Sequence, residues 1–293
     1  MDRATEDAYG ACLAEQWTTV DGVQPRRSDA VYNLVQSKWG LLSFSMYDLG
    51  IGKKLYGRAI SSGDGAVGSW PLVDDVLVPK GLVRPGDVVV HVGASIGQVT
   101  LALSQLVGDE GKVFALEADP ENARQLHANM ALNSVENVVS YEAVAGARTG
   151  LYAYRRVFKR YDRLRHMQQM RYKGLERRDE AKAASDKYAE ALTWTIDEAE
   201  NGQARNALRA DVVIVDVTGV PVNVLMGAIR QLDGSPSTTF VVDMSDVETT
   251  TEANYVRHLL LPSRLAGQVR VEDDVAGWLV RRAVEKEGGR ADL

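Results

Sequence analysis

The stretch VVVHVGASIG, residues 88–97, decides the fold that the sequence predicts. Its first half is a short apolar run that follows the turn RPGD, a pattern typical of a buried strand. The residues after Gly97 place apolar side chains at helical spacing until Gly108, which predicts a helix. A strand that enters a helix through a glycine-containing turn brings backbone N–H groups to the carboxyl edge of its sheet. We therefore expect a ligand site at the bend between Val92 and Gln98.

Alternating strands and helices continue on the C-terminal side of this stretch. The pattern predicts strands at 112–117, 137–145, 211–217 and 238–244, helices at 119–133 and 220–232, and a closing hairpin within 268–284. Strands that alternate with helices through short connections are typical of a parallel sheet with helices on its faces. The sequence thus predicts an α/β fold with a doubly wound, mostly parallel sheet within residues 76–293.

Two segments do not follow this alternation. Residues 1–75 scatter aromatic and apolar side chains among polar ones and end in the loop SSGDGAVGSWP, so we expect a helical or irregular covering segment. Residues 155–191 interrupt the domain with apolar side chains at helical spacing, which predicts a helical insertion. From Arg155 to Arg178, ten basic residues less two acidic ones leave a net charge of +8, in a chain whose total is -6. Such a face is either a solvated helix or a site for a phosphorylated substrate, RNA or acidic lipid head groups.

Composition narrows the class of protein. The chain of 293 residues is 45% hydrophobic and 25% charged, which is typical of an ordered globular protein rather than a disordered one. A single cysteine, Cys12, excludes a disulfide scaffold and fits a reducing compartment. The first residues lack the pattern of a signal peptide, and no stretch is apolar enough for a membrane helix. We therefore expect a cytoplasmic enzyme or binding protein without a transmembrane segment.

An acidic residue in the second strand indicates what the glycine turn binds. Glu117 ends that strand 20 residues after Gly97, where a doubly wound sheet directs an acid toward ribose hydroxyls. A dinucleotide fingerprint starting at Gly93 would need glycines where Ser95 and Gln98 stand. The sequence also lacks the GxxxxGK[ST] phosphate loop of ATP-hydrolysing proteins. A nucleoside ligand without phosphates, S-adenosyl-L-methionine (SAM), fits these features better than NAD.

These motifs resemble those of the FkbM-type SAM-dependent methyltransferases, a family with the seven-stranded class I methyltransferase sheet. The resemblance lies in VVVHVGASIG, in KVFALEADPENARQLHANMALN, in TWTIDEA at 193–199 and in VIVDVTGVPVNVLMGA at 213–228. It covers about residues 80 to 245 apart from the insertion. It implies a SAM-dependent methyltransferase whose acceptor is a saccharide or another small molecule with a hydroxyl group.

The resemblance also implies roles for individual residues. In the family pattern, the turn lines the methionine and ribose, the acid after the second strand binds the ribose, the end of the third strand lies beside adenine, and the aspartate after the fourth faces the sulfonium and the acceptor. The turn holds Gly93, Ala94, Ser95 and Gly97, and the ribose position holds Glu117 with Ala118 after it. Glu142 and Ala143 stand beside adenine in this pattern, and Asp216 stands at the position that faces the sulfonium and the acceptor. The chain departs from the pattern at His91, which takes the cofactor-contact position where the family has an aspartate near the cofactor's ammonium. It departs again at Thr218, where the family has a glutamate. Pro221 stands where a second acid is often found.

Methyl transfer to a hydroxyl needs alignment and a group that removes the proton. The candidate catalytic residues are Asp216, Asp243 and His91. The remaining histidines lack the paired spacing of a metal site, so we expect no metal. O-methylation of a small or saccharide acceptor is the leading prediction. The alternatives are an RNA methyltransferase that grips phosphates with residues 155–178, and a SAM-fold binding or assembly protein without activity.

Overall fold

The computed structural model describes residues 32–45, 55, 66–67, 70–155, 176–177, 188–199, 210–217, 221–245, 247, 249–273 and 277–284. These residues belong to two compact units, one containing the described residues before Ser69 and the other those from Trp70 onward. Among the helices in these ranges, none is both long enough and apolar enough to cross a membrane. The predicted boundary between residues 75 and 76 stays a prediction.

The first unit contains strands rather than the helical or irregular structure that we expected. Strands β1 (Tyr32–Ser37) and β2 (Gly40–Ser45) form an antiparallel hairpin, and β3 (Ala66–Val67) pairs with β1 in parallel. The expectation was wrong here because the hairpin has apolar side chains on both faces. Leu34 and Leu41 are exposed, whereas their neighbours Val35 and Leu42 are buried, so the sequence shows no clean alternation.

The second unit carries the remaining strands and the helices. Its strands are β4 (Val88–Val92), β5 (Lys112–Glu117), β6 (Val138–Glu142), β7 (Val144–Ala145), β8 (Gly150–Arg155), β9 (Glu176–Arg177), β10 (Tyr188–Trp194), β11 (Val212–Val215), β12 (Thr239–Asp243), β13 (Val269–Asp273) and β14 (Trp278–Ala283). Its α-helices are α1 (Gln98–Val107), α2 (Pro120–Leu132), α3 (Ile196–Ala199), α4 (Pro221–Met226), α5 (Ile229–Gly234) and α6 (Thr250–Leu260). A π-helical segment, Leu72–Leu77, and a 3₁₀ turn, Ser263–Leu265, complete the described elements.

The main sheet has seven strands in the order β13-β14-β12-β11-β4-β5-β6. Strands β4, β5, β6, β11 and β12 pair in parallel, whereas β14 runs antiparallel to both β12 and β13. The last strand of the chain is thus inserted beside the fifth, which is the strand order of the class I methyltransferase fold. From β4 the chain adds β5 and β6 on one side and β11 and β12 on the other, so the strand order reverses between β4 and β11. This pair marks the topological switch point at which such sheets bind ligands. The predicted α/β fold and its closing hairpin are confirmed.

The core of the main sheet explains why its strands read as continuous apolar runs. Strands that are covered on both faces carry apolar side chains at every position. The four residues of β11 are all buried. On one face of the sheet, Val213 and Val215 pack in one cluster with Val90, Val92, Phe240 and Val242. This packing fixes the carboxyl ends of β4, β11 and β12 side by side.

A smaller sheet, in the order β7-β10-β8-β9, contains the described residues of the insertion that we predicted to be helical at 155–191. Strand β10 pairs antiparallel with β8, so that Tyr188 lies opposite Arg155. The helical prediction was wrong for these described residues because cross-strand pairing overrides intrinsic helix preference, even in an alanine-rich sequence. Residues 156–175 and 178–187, which carry most of the +8 charge, lie outside the described residues.

The helix that we predicted at 220–232 is divided into α4 and α5 at Gly227. A side chain at Gly227 would overlap the backbone of Gly146, so the glycine permits a close approach of two chain segments. The carboxylate of Asp197 accepts hydrogen bonds from the N–H groups of Arg230 (2.9 Å) and Gln231 (3.2 Å). The aspartate of the TWTIDEA segment therefore caps the N-terminus of α5.

Candidate active site

The turn between β4 and α1 is held by backbone contacts from two sides. Gly93, Ser95 and Gly97 all have positive φ, at 88°, 51° and 93°. The N–H groups of Gly93 and Ala94 donate to the carbonyl oxygen of Leu116 at 2.9 Å and 3.0 Å. These contacts tie the turn to the end of β5, so its shape is part of the fold.

A buried side chain on α2 fixes the other end of the turn. The Nδ2 group of Asn129, which is fully buried, donates to the carbonyl oxygen of Ile96 at 2.7 Å. Asn129 is not among the residues predicted from the sequence. A polar residue among the apolar positions of the helix was the signal that could have found it, since a buried amide requires a partner.

The two glycines of the turn are required by packing. A Cβ at Gly93 would overlap the carbonyl oxygen of Asp216 and would lie 2.8 Å from its carbonyl carbon. A Cβ at Gly97 would lie 2.6 Å from Cδ1 of Leu126, on α2. The first glycine thus lets β4 and β11 approach at the switch point, and the second lets α2 pack on the turn. Whether their backbones also line the cofactor stays a prediction.

Glu117 is the buried acid at this edge of the sheet. The residue is only 8% exposed. Its Oε2 accepts a hydrogen bond from the N–H group of Ser95 (2.7 Å), and its Oε1 accepts one from the N–H group of Asp119 (2.8 Å). Burial raises the pKa of Glu117 to about 7, against the two backbone N–H groups, which lower it. The acid and the turn are thus joined directly, as the spacing in the sequence predicted.

His91 and Asp216 lie together across the switch point. His91 is fully buried in β4, and its Nδ1 lies 2.9 Å from Oγ1 of Thr100, on α1. Its Nε2 lies 4.0 Å from Oδ2 of Asp216, whose side chain is 29% exposed. Of the two, only Asp216 has surface that an acceptor can reach. We predicted His91 as a base and a cofactor contact. Its burial gives it no exposed surface from which to act as a base on an acceptor, and its contact with the cofactor stays a prediction.

The other predicted residues are spread along the same sheet edge. Glu142 pairs in register with Glu117 and is exposed, whereas Ala143 is buried. Asp243 ends β12, and its carboxylate accepts from the N–H of Ser245 at 2.8 Å and from its Oγ at 3.0 Å. Ala94 is fully buried and Ala118 is partly buried. Thr218 lies outside the described residues, and Pro221 is the buried first residue of α4.

The described residues supply the chemistry that a nucleoside with a cationic sulfur requires. A carboxylate offers about four lone-pair sites, so Glu117 keeps acceptor capacity for hydroxyl groups beyond its two backbone contacts. His91 Nε2 and Gln98 Oε1 are buried without a hydrogen-bond partner among the described residues. Buried polar atoms of this kind are uncommon and are often satisfied by a bound ligand or water. In the described part of the chain, no cluster of side chains could hold a metal ion.

Comparison with protein families identifies the domain. The model of the TRM5/TYW2 methyltransferase domain matches residues 78–150, a segment that contains β4, the turn, Glu117 and β6. This match and the strand order of the main sheet show a SAM-dependent methyltransferase. Its cofactor is S-adenosyl-L-methionine. The match covers about a quarter of the chain, so it does not establish membership in that family. A comparison with curated proteins gave no match.

Solved structures that resemble the chain are distant. A Clostridium thermocellum protein assigned as an rRNA methylase has 13% identity and a TM-score of 0.43, over 74% of this chain and 98% of its own. Methyltransferase FkbM from Methylobacillus flagellatus has 13% identity and a TM-score of 0.42, over 69% of this chain and 48% of its own. Trm5b from Pyrococcus abyssi has 14% identity and a TM-score of 0.36, over 73% of this chain and 48% of its own. The FkbM resemblance is therefore not confirmed by these structures.

Replacing Glu117 with alanine should weaken cofactor binding. The carboxylate is buried beside the turn, and the loss of a buried charged acceptor usually reduces affinity by about 1 to 3 kcal/mol. Isothermal titration with S-adenosylhomocysteine measures the change. The matched control is Glu110→Ala, because Glu110 is exposed in the turn before β5, at the opposite edge of the sheet. Equal affinities for both variants and the wild type would show that Glu117 does not bind the ribose.

Cofactor affinity should also depend on pH through the same group. Since the pKa of Glu117 is about 7, the carboxyl is protonated below that value and offers fewer acceptor sites to hydroxyl groups. Hydroxyl donors favour the anion, so affinity should fall as the pH is lowered below about 7, by at most about tenfold per pH unit for one proton. The profile of Glu117→Ala should lack this component, and the same slope in that variant would contradict the assignment.

Proposed function

We propose that this methyltransferase transfers a methyl group to a hydroxyl of a saccharide or another small molecule, with Asp216 as the general base. The observation that carries the proposal is the position of Asp216. It follows β11 at the switch point, keeps its side chain partly exposed, and lies beside the turn that bears Gly93. A carboxylate at this edge can reach both a cofactor and an acceptor.

The roles of the residues follow from their surroundings. SAM, when bound, supplies a methyl group already activated by the sulfonium. We propose that Glu117 binds the ribose hydroxyls. Hydrogen bonds from the N–H groups of Ser95 and Asp119 hold its carboxylate in place. The exposed Glu142 and the neighbouring Ala143 are assigned to the adenine side, because they follow the strand next to β5. Asp216 accepts the proton of the acceptor hydroxyl, a step that contributes about 10² to 10⁴ in rate in other enzymes.

Asp243 is assigned to the acceptor side. It ends β12, the strand that adjoins β11, so its carboxylate lies one strand beyond Asp216 at the same edge. Its two oxygens are held by Ser245, which fixes their orientation. A carboxylate in this position suits hydrogen bonding to further hydroxyl groups of a saccharide better than proton removal.

A panel of acceptors tests the proposal. The protein is incubated with SAM carrying a radiolabelled methyl group and with saccharides, small phenols, carboxylic acids and transfer or ribosomal RNA. We expect label in hydroxyl-bearing small molecules, in a bond that resists mild base, as an ether does. Label found only in RNA, or only in carboxyl esters, would contradict the proposal.

RNA methylation is the second candidate, because two observations favour it. The family match is to the TRM5/TYW2 methyltransferase domain, and residues Arg155 to Arg178 carry a net charge of +8. The described strands β8 and β9, which pair antiparallel, hold the two ends of this basic segment in the same small sheet. A basic segment of this kind suits the phosphates of a nucleic acid.

Salt dependence separates the two candidates. If the basic segment grips RNA, affinity should fall steeply with salt, and reversing Arg155, Arg156, Lys159 and Arg160 to glutamate should reduce the slope by about 0.7 for each lost phosphate contact with a single strand. The measurement is fluorescence anisotropy with labelled RNA at several salt concentrations. Reversal of three exposed acids outside this segment is the charge control. The absence of RNA binding at low salt would eliminate this candidate.

A further inference from the structure

His91 is enclosed on every side, yet one of its ring nitrogens lacks a partner. The residue is fully buried, and its Nδ1 lies 2.9 Å from Oγ1 of Thr100. Its Nε2 has no hydrogen-bond partner among the described residues. A buried polar atom without a partner usually costs about 1 to 3 kcal/mol, so an imidazole here is expected to have a role.

The carboxylate of Asp216 is a charged group close to that nitrogen. The separation of 4.0 Å between Nε2 and Oδ2 is too long for a hydrogen bond. The Asp216 side chain is 29% exposed, so it can rotate, whereas the ring is fixed by burial and by Thr100. A rotation that brings Oδ2 within hydrogen-bond distance of Nε2 would satisfy the ring and would leave Oδ1 to face the acceptor at the switch point. Catalytic hydrogen bonds are often long in a ligand-free enzyme and shorten when ligands bind.

The contact with Thr100 is compatible with either neutral tautomer of His91, so the group that faces Nε2 decides between them. A threonine hydroxyl can donate as well as accept, so it can give its hydrogen to an unprotonated Nδ1. The neutral ring then carries its hydrogen on Nε2, facing the carboxylate. The opposite tautomer would direct a bare lone pair toward an anion, which is unfavourable. Asp216 therefore favours the tautomer in which His91 donates from Nε2, and Thr100 supports it by donating to Nδ1.

We propose that Thr100 and His91 are positioning residues, which together orient the carboxylate of Asp216 toward the acceptor. The proposal rests on the function of Asp216 proposed above, and it deepens that function. It also replaces the prediction that His91 is itself a base. Thr100 on α1 contacts His91 on β4, and His91 faces Asp216 at the end of β11. All three residues belong to the second unit of the chain.

The tautomer of His91 tests the proposal without an acceptor. Nitrogen-15 NMR of the imidazole, in the full chain at neutral pH, distinguishes protonated from unprotonated ring nitrogens. The signal is assigned by its loss in His91→Gln. We expect hydrogen on Nε2 and none on Nδ1 in the wild type. In Thr100→Val, which removes the hydroxyl but keeps the shape, we expect a mixture of tautomers, and Thr100→Ser should restore the wild-type spectrum. Hydrogen on Nδ1 of the wild-type ring would overturn the proposal.

Kinetics of substituted enzymes give a second readout. His91→Leu should reduce kcat about 10-fold to 100-fold, the range for the loss of one hydrogen bond to a charged group, with KM for SAM nearly unchanged. His91→Gln keeps a donor near the place of Nε2 and should recover most of the rate. Equal losses in the two variants, in proteins that melt at the wild-type temperature, would overturn the proposal. If the protein fails to bind SAM, the proposed function is wrong, whereas the NMR result still decides the role of His91.

Discussion

Asp216→Asn should reduce methyl transfer by about 10² to 10⁴, the range for the loss of a general base, and should change cofactor affinity by less than about tenfold. Asparagine has the shape of aspartate but cannot take a proton from a hydroxyl. The backbone of Asp216 is fixed independently, since its N–H donates to the carbonyl oxygen of Val92 at 2.9 Å. The substitution therefore removes the base without disturbing the junction of β4 and β11.

The measurement is the transfer of radiolabelled methyl to the acceptor found in the panel, together with calorimetric binding of S-adenosylhomocysteine. The control is Asp109→Asn, because Asp109 is exposed in the turn before β5, at the edge of the sheet remote from the switch point. A variant that loses affinity as much as rate would show that Asp216 acts as a cofactor clamp. A variant with the wild-type rate would show that another group removes the proton.

Gly93→Ala should destabilise the protein more than any other alanine substitution in the turn. The residue has a φ of 88°, and a Cβ there would overlap the carbonyl oxygen of Asp216. The left-handed backbone conformation costs a non-glycine residue roughly 1 to 2 kcal/mol. The overlap adds about 1 to 3 kcal/mol or more, because two paired backbones have to separate. Cofactor binding should be lost as well, since the separation moves both sides of the switch point.

Gly86→Ala is a matched control for this prediction. Gly86 has a φ of 89°, almost the same as that of Gly93, but nothing lies within 4 Å of the place of its Cβ. Gly86→Ala should therefore show only the cost of the left-handed backbone conformation. Urea unfolding gives the free energy of unfolding of each variant, and cofactor titration gives the cofactor affinity of each. Equal destabilisation in the two variants would mean that β4 and β11 do not approach closely at the switch point.

The parts of the fold that the sequence predicted are those with a local pattern. The apolar run from Val88 to Val92, the glycine turn and the regular spacing after it identify β4 and α1. Glu117 could be placed at the end of β5 because its strand is short and bounded by turns. The hairpin of β13 and β14 was visible as two apolar stretches around a glycine.

The secondary structure was predicted wrongly where tertiary contacts determine it. Strand β1 was missed because Leu34 is exposed, which conceals the alternation. The strands at the ends of the insertion are set by pairing between residues 150–155 and 188–194, which are distant in sequence. Cross-strand partners of this kind cannot be read from local preferences.

The site was predicted in part for the same reason. The link between Glu117 and the turn followed from chain order, since adjacent parallel strands end at the same edge. The burial of His91 could not be predicted, because β4 is apolar at its other positions and shows no alternation that would tell which face of the sheet a residue occupies. The contact with Thr100 depends on how α1 packs on β4, and the sequence offers no signal for it.

The central claim is that the turn from Gly93 to Gly97, together with Glu117, binds a sulfur-bearing nucleoside. Isothermal titration of the wild-type chain with SAM and with S-adenosylhomocysteine tests it most directly. We expect saturable binding at one site per chain, with a Kd between about 1 µM and 1 mM, the usual range for enzyme ligands. No heat of binding from either compound at millimolar concentration, in protein that is folded by circular dichroism, would contradict the account.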